Sequence, residues 1–316
     1  MRALFAIVAL VSTVPLLGCS TSDSKPSMND LFCDYAVAGL VDTVSQSCIA
    51  QAEQGNSHAA MNLAYLYVKA ELIATNPKRA TELYHMAASM GEPTAEYALA
   101  ELYRTGFTGA RQPKLAREWY MKAAQQQHEY QKDAQFMLGL MYFEGNGGGK
   151  DLSAAEHWLK LSVDNGHGEA AYLLGQINFD EYYNIQRAHS WFQKSAELGH
   201  VPANHKLGLM YSDGSMGHTD QQQARLWFLK AAEMGSADSQ VNLATLEFNG
   251  INGESDLMQC YVWLSAADSQ GHEIARERMA LLIPMLSESE LQQAQGLSQR
   301  CIQSQFKDCG ESKLRL

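Results

Sequence analysis

Ten histidines, six cysteines and a glycine-rich stretch that ends in a lysine are the residues of this 316-residue chain able to do chemistry. A metal or acid–base centre needs such groups brought together by spacing, on one helical face or across a turn. No H-E-x-x-H or C-x2-C spacing is present. His167, His200 and His272 each directly follow a glycine and lie far apart in the chain, as turn residues do. Gly145–Gly149 followed by Lys150 has the look of a phosphate loop, but no strand precedes it and no Ser or Thr follows the lysine, so it reads as an enlarged surface loop. The carboxylates are scattered, with no pair spaced for glycoside chemistry. These observations predict no catalytic residue, no metal and no cofactor: the chain is read as a non-enzyme. Net charge is −11 without a strongly basic window, which argues against a nucleic-acid partner.

The five tryptophans are all in register. Trp119, Trp158, Trp191, Trp227 and Trp263 hold one place in a recurring segment, ARLWFLKAAEMG in the copy Ala224–Gly235, and Leu83 holds it in the first copy. A second pattern, A-x3-L-[AG]-x2-Y-x2-G, precedes each copy, as in Ala95/Leu99/Ala100/Tyr103/Gly106 and Ala134/Leu138/Gly139/Tyr142/Gly145. Spacings of three and four place these residues on helical stripes. Each unit therefore reads as a helix A, a loop, a helix B and a tight turn. The tryptophans, on the inner stripe of helix B, are expected to be core rather than a stacking platform. Cys260 stands where other copies have alanine and is expected to be a small, unreactive core residue.

This double pattern resembles the Sel1-like repeat family, relatives of the tetratricopeptide repeats, over roughly residues 50–283. The resemblance implies an all-α, right-handed α-solenoid of helix-turn-helix repeats: six units over 55–271, a helical cap at 30–54, and a cap and tail at 272–316. The fourth unit departs from the pattern, since Asn178 replaces the helix-A tyrosine and the glycine loop is missing. In the C-terminal cap, Ser287 and Glu290 form an S-x-x-E capping box that opens a last helix over 288–299.

Tetratricopeptide geometry further implies a concave surface lined by the A helices, two before, two after and five after the repeat leucine. Those positions hold Met61, Tyr65 and Val68; Tyr97, Glu101 and Arg104; Phe136, Leu140 and Phe143; Tyr172, Gln176 and Phe179; His205, Leu209 and Ser212; Val241, Thr245 and Phe248. Two readings of this apolar stripe stay open. It is a groove for a partner peptide or helix, or tight curvature packs its side chains against one another. The implied function is a scaffold that holds envelope proteins of unknown identity. The alternative is a binder or hydrolase of peptidoglycan fragments or β-lactams, since some disulfide-rich Sel1-like proteins are weak β-lactamases. Those relatives bridge nearly every repeat, whereas the six units here contain only Cys260.

The first residues carry a separate signal. Arg2 precedes an apolar run, Ala3 to Leu17, that ends in Leu16-Leu17-Gly18-Cys19. This resembles the lipobox of bacterial lipoproteins. It implies a signal peptide over 1–18, an acylated Cys19, a polar tether over 20–29, and membrane attachment through the lipid alone. Ser20 in place of aspartate directs the expectation to the periplasmic face of the outer membrane. In an exported chain disulfides can form. Cys33 pairs with Cys48 across the N-terminal hairpin, and Cys301 pairs with Cys309 if the chain turns near 304–308.

Overall fold

The computed structural model describes residues 48–69, 75–250 and 255–310. The leader, Cys19, the tether and Cys33 lie outside the described residues. Cys48 is disulfide-bonded and fully buried. The chain divides into two compact units after Asn165. Among the described residues there is no strand, and the fold is an all-α solenoid of helical hairpins.

In the first unit, residues 48–53 are helical and are followed by α1 (Ser57–Lys69), α2 (Pro77–Ser89), α3 (Pro93–Thr105), α4 (Pro113–Ala124), α5 (Gln131–Glu144) and α6 (Leu152–Asp164). They pair as α1 with α2, α3 with α4, and α5 with α6, and successive hairpins pack through α2 on α3 and α4 on α5. The second unit holds α7 (Gly168–Gln176), α8 (Ile185–Glu197), α9 (Val201–Ser212), α10 (Gln221–Glu233), α11 (Ala237–Asn249), α12 (Leu257–Asp268), α13 (Glu273–Leu282) and α14 (Glu288–Gln303). Hairpins again form in order, up to α11 with α12. The final helix α14 then packs on α12.

The small residue after each repeat leucine is what lets the two helices of a hairpin approach. A Cβ built on Gly139 would lie 2.7 Å from Leu159, one on Gly175 2.5 Å from Phe192, and one on Gly208 2.5 Å from Phe228. In each case the side chain pressed against the glycine is the residue after the tryptophan, not the tryptophan. Tyr120, Leu159, Phe192 and Phe228 are at most 1% exposed. This corrects the reading of five core tryptophans: Trp119, Trp158, Trp191 and Trp227 are only half-buried, and Trp263 alone is fully enclosed. Lysines one turn on lie over two of the half-buried indoles, Lys122 at 3.7 Å from the Trp119 ring and Lys230 at 3.9 Å from Trp227. Trp263 shares its core with Ala294 and Cys301 of α14.

The ends of the helices explain the turns. Gly235 and Gly271, with φ of 90° and 82°, take the left-handed conformation that closes a helix B. The next helix A starts one residue later on a cap. His167 and His272 are such N-caps, each ring Nδ1 accepting the amide of the residue three on, at 3.2 and 3.3 Å. His200 takes the same N-cap position without a side-chain bond. In the fourth repeat, α7 widens into a π-helix over Ile177–Glu181, where buried Asn178 donates to the Leu174 carbonyl at 2.8 Å. The π-turn thus replaces the missing tyrosine and glycine loop.

At the C-terminal end, Pro284 sits in a 3-10 turn that stops α13. Ser287 and Glu290 form a reciprocal capping box, and α14 runs to Gln303, beyond the expected end at 299. Gln305 and Phe306, both at positive φ, then turn the chain so that Cys301 and Cys309 are bonded, with Cα atoms 4.3 Å apart.

Candidate functional site: the helix-A face

In the first unit the helix-A positions are partly occupied by the protein itself. Tyr97 is 9% exposed; its ring stacks on Tyr130 at 5.1 Å and meets Tyr120 edge-on at 5.8 Å. Beside it, Glu101 accepts two bonds from Arg104, Nε at 3.0 Å and Nη2 at 2.6 Å, and a third from the Tyr120 hydroxyl. Burial, reinforced by the Glu101 carboxylate, pushes the Tyr120 and Tyr97 hydroxyls well above the ordinary tyrosine value, so both remain donors. The bond to Glu101 also raises Arg104, which keeps its charge. Glu101 and Arg104 thus form an internal ion pair at the floor of the face. Phe136 is 9% exposed, whereas Met61, Tyr65, Leu140 and Phe143 are half-buried. Lys150 lies 4.9 Å over the Phe143 ring.

The glycine-rich loop belongs to this unit. A Cβ on Gly147 would lie 2.4 Å from the Pro113 carbonyl, and one on Gly148 2.0 Å from the Arg117 guanidinium. The loop is glycine-rich because it lies directly on α4.

In the second unit Tyr172 leans on Phe192 at 5.3 Å and on His200 at 5.1 Å. Lys206 covers Phe179 at 4.3 Å. Val241 is buried and Phe248 is 42% exposed. The other helix-A positions, Val68 in the first unit and Gln176, His205, Leu209, Ser212 and Thr245 in the second, are half-buried.

A recurring contact escaped the sequence reading. His85 Nε2 lies 2.9 Å from the Tyr103 hydroxyl, and His189 Nε2 lies 3.0 Å from that of Tyr211. Each joins a helix B to the motif tyrosine of the following helix A. Burial lowers the affinity of both histidines for protons, and likewise lowers that of His128, His200 and His205. Unfolded histidines protonate near 6.5, these folded ones at lower pH, so unfolding takes up protons between those values and acidification destabilises the fold. The melting temperature should therefore fall as pH is lowered through about 6.5 and below. A melting temperature that is flat or rises over that range contradicts this assignment. Glu96, raised by burial, acts in the opposite sense in the carboxylate range.

Among the described residues no group of three or more His, Cys, Asp or Glu is placed to hold a metal ion, and no helix is long and apolar enough to cross a membrane. Cys260 is buried, and burial pushes its thiol up to about 12, so it carries no nucleophilic thiolate near neutral pH.

A profile of the Sel1 repeat matches six consecutive segments: 57–92, 93–128, 132–167, 168–200, 201–236 and 237–272. The alginate biosynthesis protein AlgK of Azotobacter vinelandii is 29% identical over 186 residues, covering 54% of this chain and 38% of that protein. An exopolysaccharide production negative regulator of Rhizobium meliloti is 30% identical over 157 residues, covering 46% of this chain and 58% of that protein. The chain thus spans between about two fifths and three fifths of the length of these curated relatives. Among solved structures, a protective antigen of uropathogenic Escherichia coli displaying an SLR fold aligns with a TM-score of 0.65 and 28% identity, over 87% of this chain and 60% of the other. A Sel1 repeat protein from Oxalobacter formigenes shares the fold at 21% identity, with a TM-score of 0.56 over 76% of this chain and 97% of that one. With its six matched segments covering more than half of the sequence, the chain belongs to the Sel1 repeat family.

Proposed function

We propose that this protein is a non-catalytic, lipid-anchored scaffold of the bacterial envelope that holds partner proteins on its helix-A face. The observation that carries this reading is the face in the first unit. There Leu140 and Phe143, with Met61 and Tyr65, leave apolar surface half-covered, and the equivalent positions of the second repeat hold the bonded pair Glu101–Arg104. Aromatic and apolar side chains on a pre-organised support are what interface anchors consist of. Attachment through Cys19 rests on the lipobox-like Leu16-Leu17-Gly18-Cys19, and the orientation to the periplasmic face of the outer membrane on Ser20. The relatives in alginate biosynthesis and exopolysaccharide regulation favour a partner from an envelope polysaccharide system.

The test uses Leu140→Ser together with Phe143→Ser, positions half-exposed in the fold; Phe136 is avoided because its burial would confound binding with folding. The double variant should keep the helical spectrum of the parent yet lose at least about 90% of the partner recovered by crosslinking in cells, the effect of removing about 1.4 kcal/mol or more of binding energy. Undiminished recovery by the folded variant would sink the assignment of the face. Loss of radiolabelled palmitate in Cys19→Ala tests the anchor.

A further inference from the structure

A cavity of about 270 Å³ opens within the second unit, between α11, α12 and α13. Its floor is Cys260, Leu264 and Leu282, all nearly fully buried. Its rim is Phe248, Leu281 and Met285, which are 42%, 76% and 53% exposed. Two polar side chains stand at the mouth. Thr245 donates its hydroxyl to the Val241 carbonyl at 2.9 Å and accepts Nη1 of Arg278 at 2.7 Å. Among the described residues Arg278 has no carboxylate partner. The nearby Glu247 is held by Arg225 at 2.7 Å, and Asp256 caps α12.

The repeat register tells what is missing from this space. Leu264 follows Trp263 as Tyr120 follows Trp119, and Thr245 and Phe248 stand two and five after Leu243 as Glu101 and Arg104 stand after Leu99. In the second repeat that set of positions is closed by an aromatic ring, a carboxylate and an arginine bonded together. In the sixth repeat the ring is shortened to leucine and the carboxylate is replaced by threonine. An arginine is nevertheless present, supplied as Arg278 by the following helix. The result is an apolar socket whose lip carries a cation with no carboxylate partner among the described residues.

We infer that this socket receives, from a partner polypeptide, an aromatic side chain flanked by a carboxylate that pairs with Arg278. The inference rests on the reading of the helix-A face as the partner surface and names the chemistry of one anchor on it. A dry cavity of about 150 Å³ takes a benzene molecule, so the socket has room for a whole aromatic side chain. The carboxylate supplies the counter-charge that Arg278 lacks among the described residues.

The probes are the blocked peptides acetyl-Gly-Phe-Asp-Gly-amide and acetyl-Gly-Phe-Asn-Gly-amide, with 3-phenylpropanoate as a free acid, titrated into the full chain and read by saturation-transfer NMR. The aspartyl peptide should bind about tenfold more tightly than the asparaginyl one, the size of one charge-assisted hydrogen bond, and Arg278→Gln should erase the difference. Leu264→Tyr, which refills the socket, and Phe248→Ser, at an exposed rim position, should each abolish binding. Binding untouched by both variants, or no preference for the acid, overturns the inference. Binding of 3-phenylpropanoate without the peptide overturns the polypeptide occupant in favour of a small aryl acid. Partner capture by the Leu140→Ser/Phe143→Ser protein is a separate readout in the first unit, so a failed socket and a failed scaffold are told apart.

Discussion

Phe228→Ala is expected to cost about 3–5 kcal/mol of folding stability, and Trp227→Ala, one residue away, less than half as much. The two side chains differ in what surrounds them. Phe228 is 1% exposed and lies against Gly208, so truncation leaves a void that the glycine, without a side chain, cannot fill. The cavity term then adds to the lost transfer energy. Trp227 is half-buried and is covered on one face by the Lys230 ammonium. Its loss removes partial burial and a cation–π contact worth about 0.5–1 kcal/mol, and water can enter where the ring was. Urea unfolding of the two variants makes the comparison. Equal costs, or a larger one at Trp227, would mean that the tryptophan is the element that locks the hairpin.

Glu101→Ala is expected to cost about 2–4 kcal/mol, against about 1 kcal/mol for Tyr120→Phe. The carboxylate satisfies two groups at once, the Arg104 guanidinium and the fully buried Tyr120 hydroxyl. Removing it leaves a buried donor without its carboxylate and a cation without a counter-charge. Arg104 is 35% exposed at its side chain, so water relieves part of that penalty. Removing only the tyrosine hydroxyl leaves the ion pair intact. Should the two variants unfold at the same urea concentration, the network is not the support of the helix-A face that its geometry indicates.

Periodicity made the architecture legible. Tryptophans in register, a small residue beside each repeat leucine and a recurring glycine after helix B point to stacked hairpins, because that arrangement sets the small residue against the neighbouring helix and turns the chain at the glycine. Periodicity says less about which of two adjacent residues faces inward. Trp227 and Phe228 are 100° apart on the same helix, and both fit an apolar stripe more than 100° wide. The deciding signal lay on the other helix. A glycine at 139, 175 or 208 admits only what touches it, and the apolar residue after the tryptophan is the one that does. The histidine caps were hidden for a different reason: histidine is not among the preferred N-cap residues, so His167 and His272 read as turn residues of no particular role. Asn178 was visible as a departure from the pattern, but a π-turn depends on where the displaced carbonyls find partners, which spacing alone does not determine. The helix-A stripe was legible as a set of positions. Its division into an internal Tyr97–Glu101–Tyr120 network and a half-exposed Leu140–Phe143 patch was not, because it depends on which side chains meet across a helix pair.

The central claim is that partners are held by the A helices, and it is tested most directly by photo-crosslinking in cells from two single positions. A photoreactive residue at Leu140 lies on the helix-A face of α5; one at Leu226, 46% exposed on α10, lies on a helix B. The account predicts a discrete crosslinked protein from position 140 that is absent from position 226 and disappears when Phe143 is changed to serine. The same adduct from position 226, or none from position 140 while the protein is folded and abundant, would contradict it.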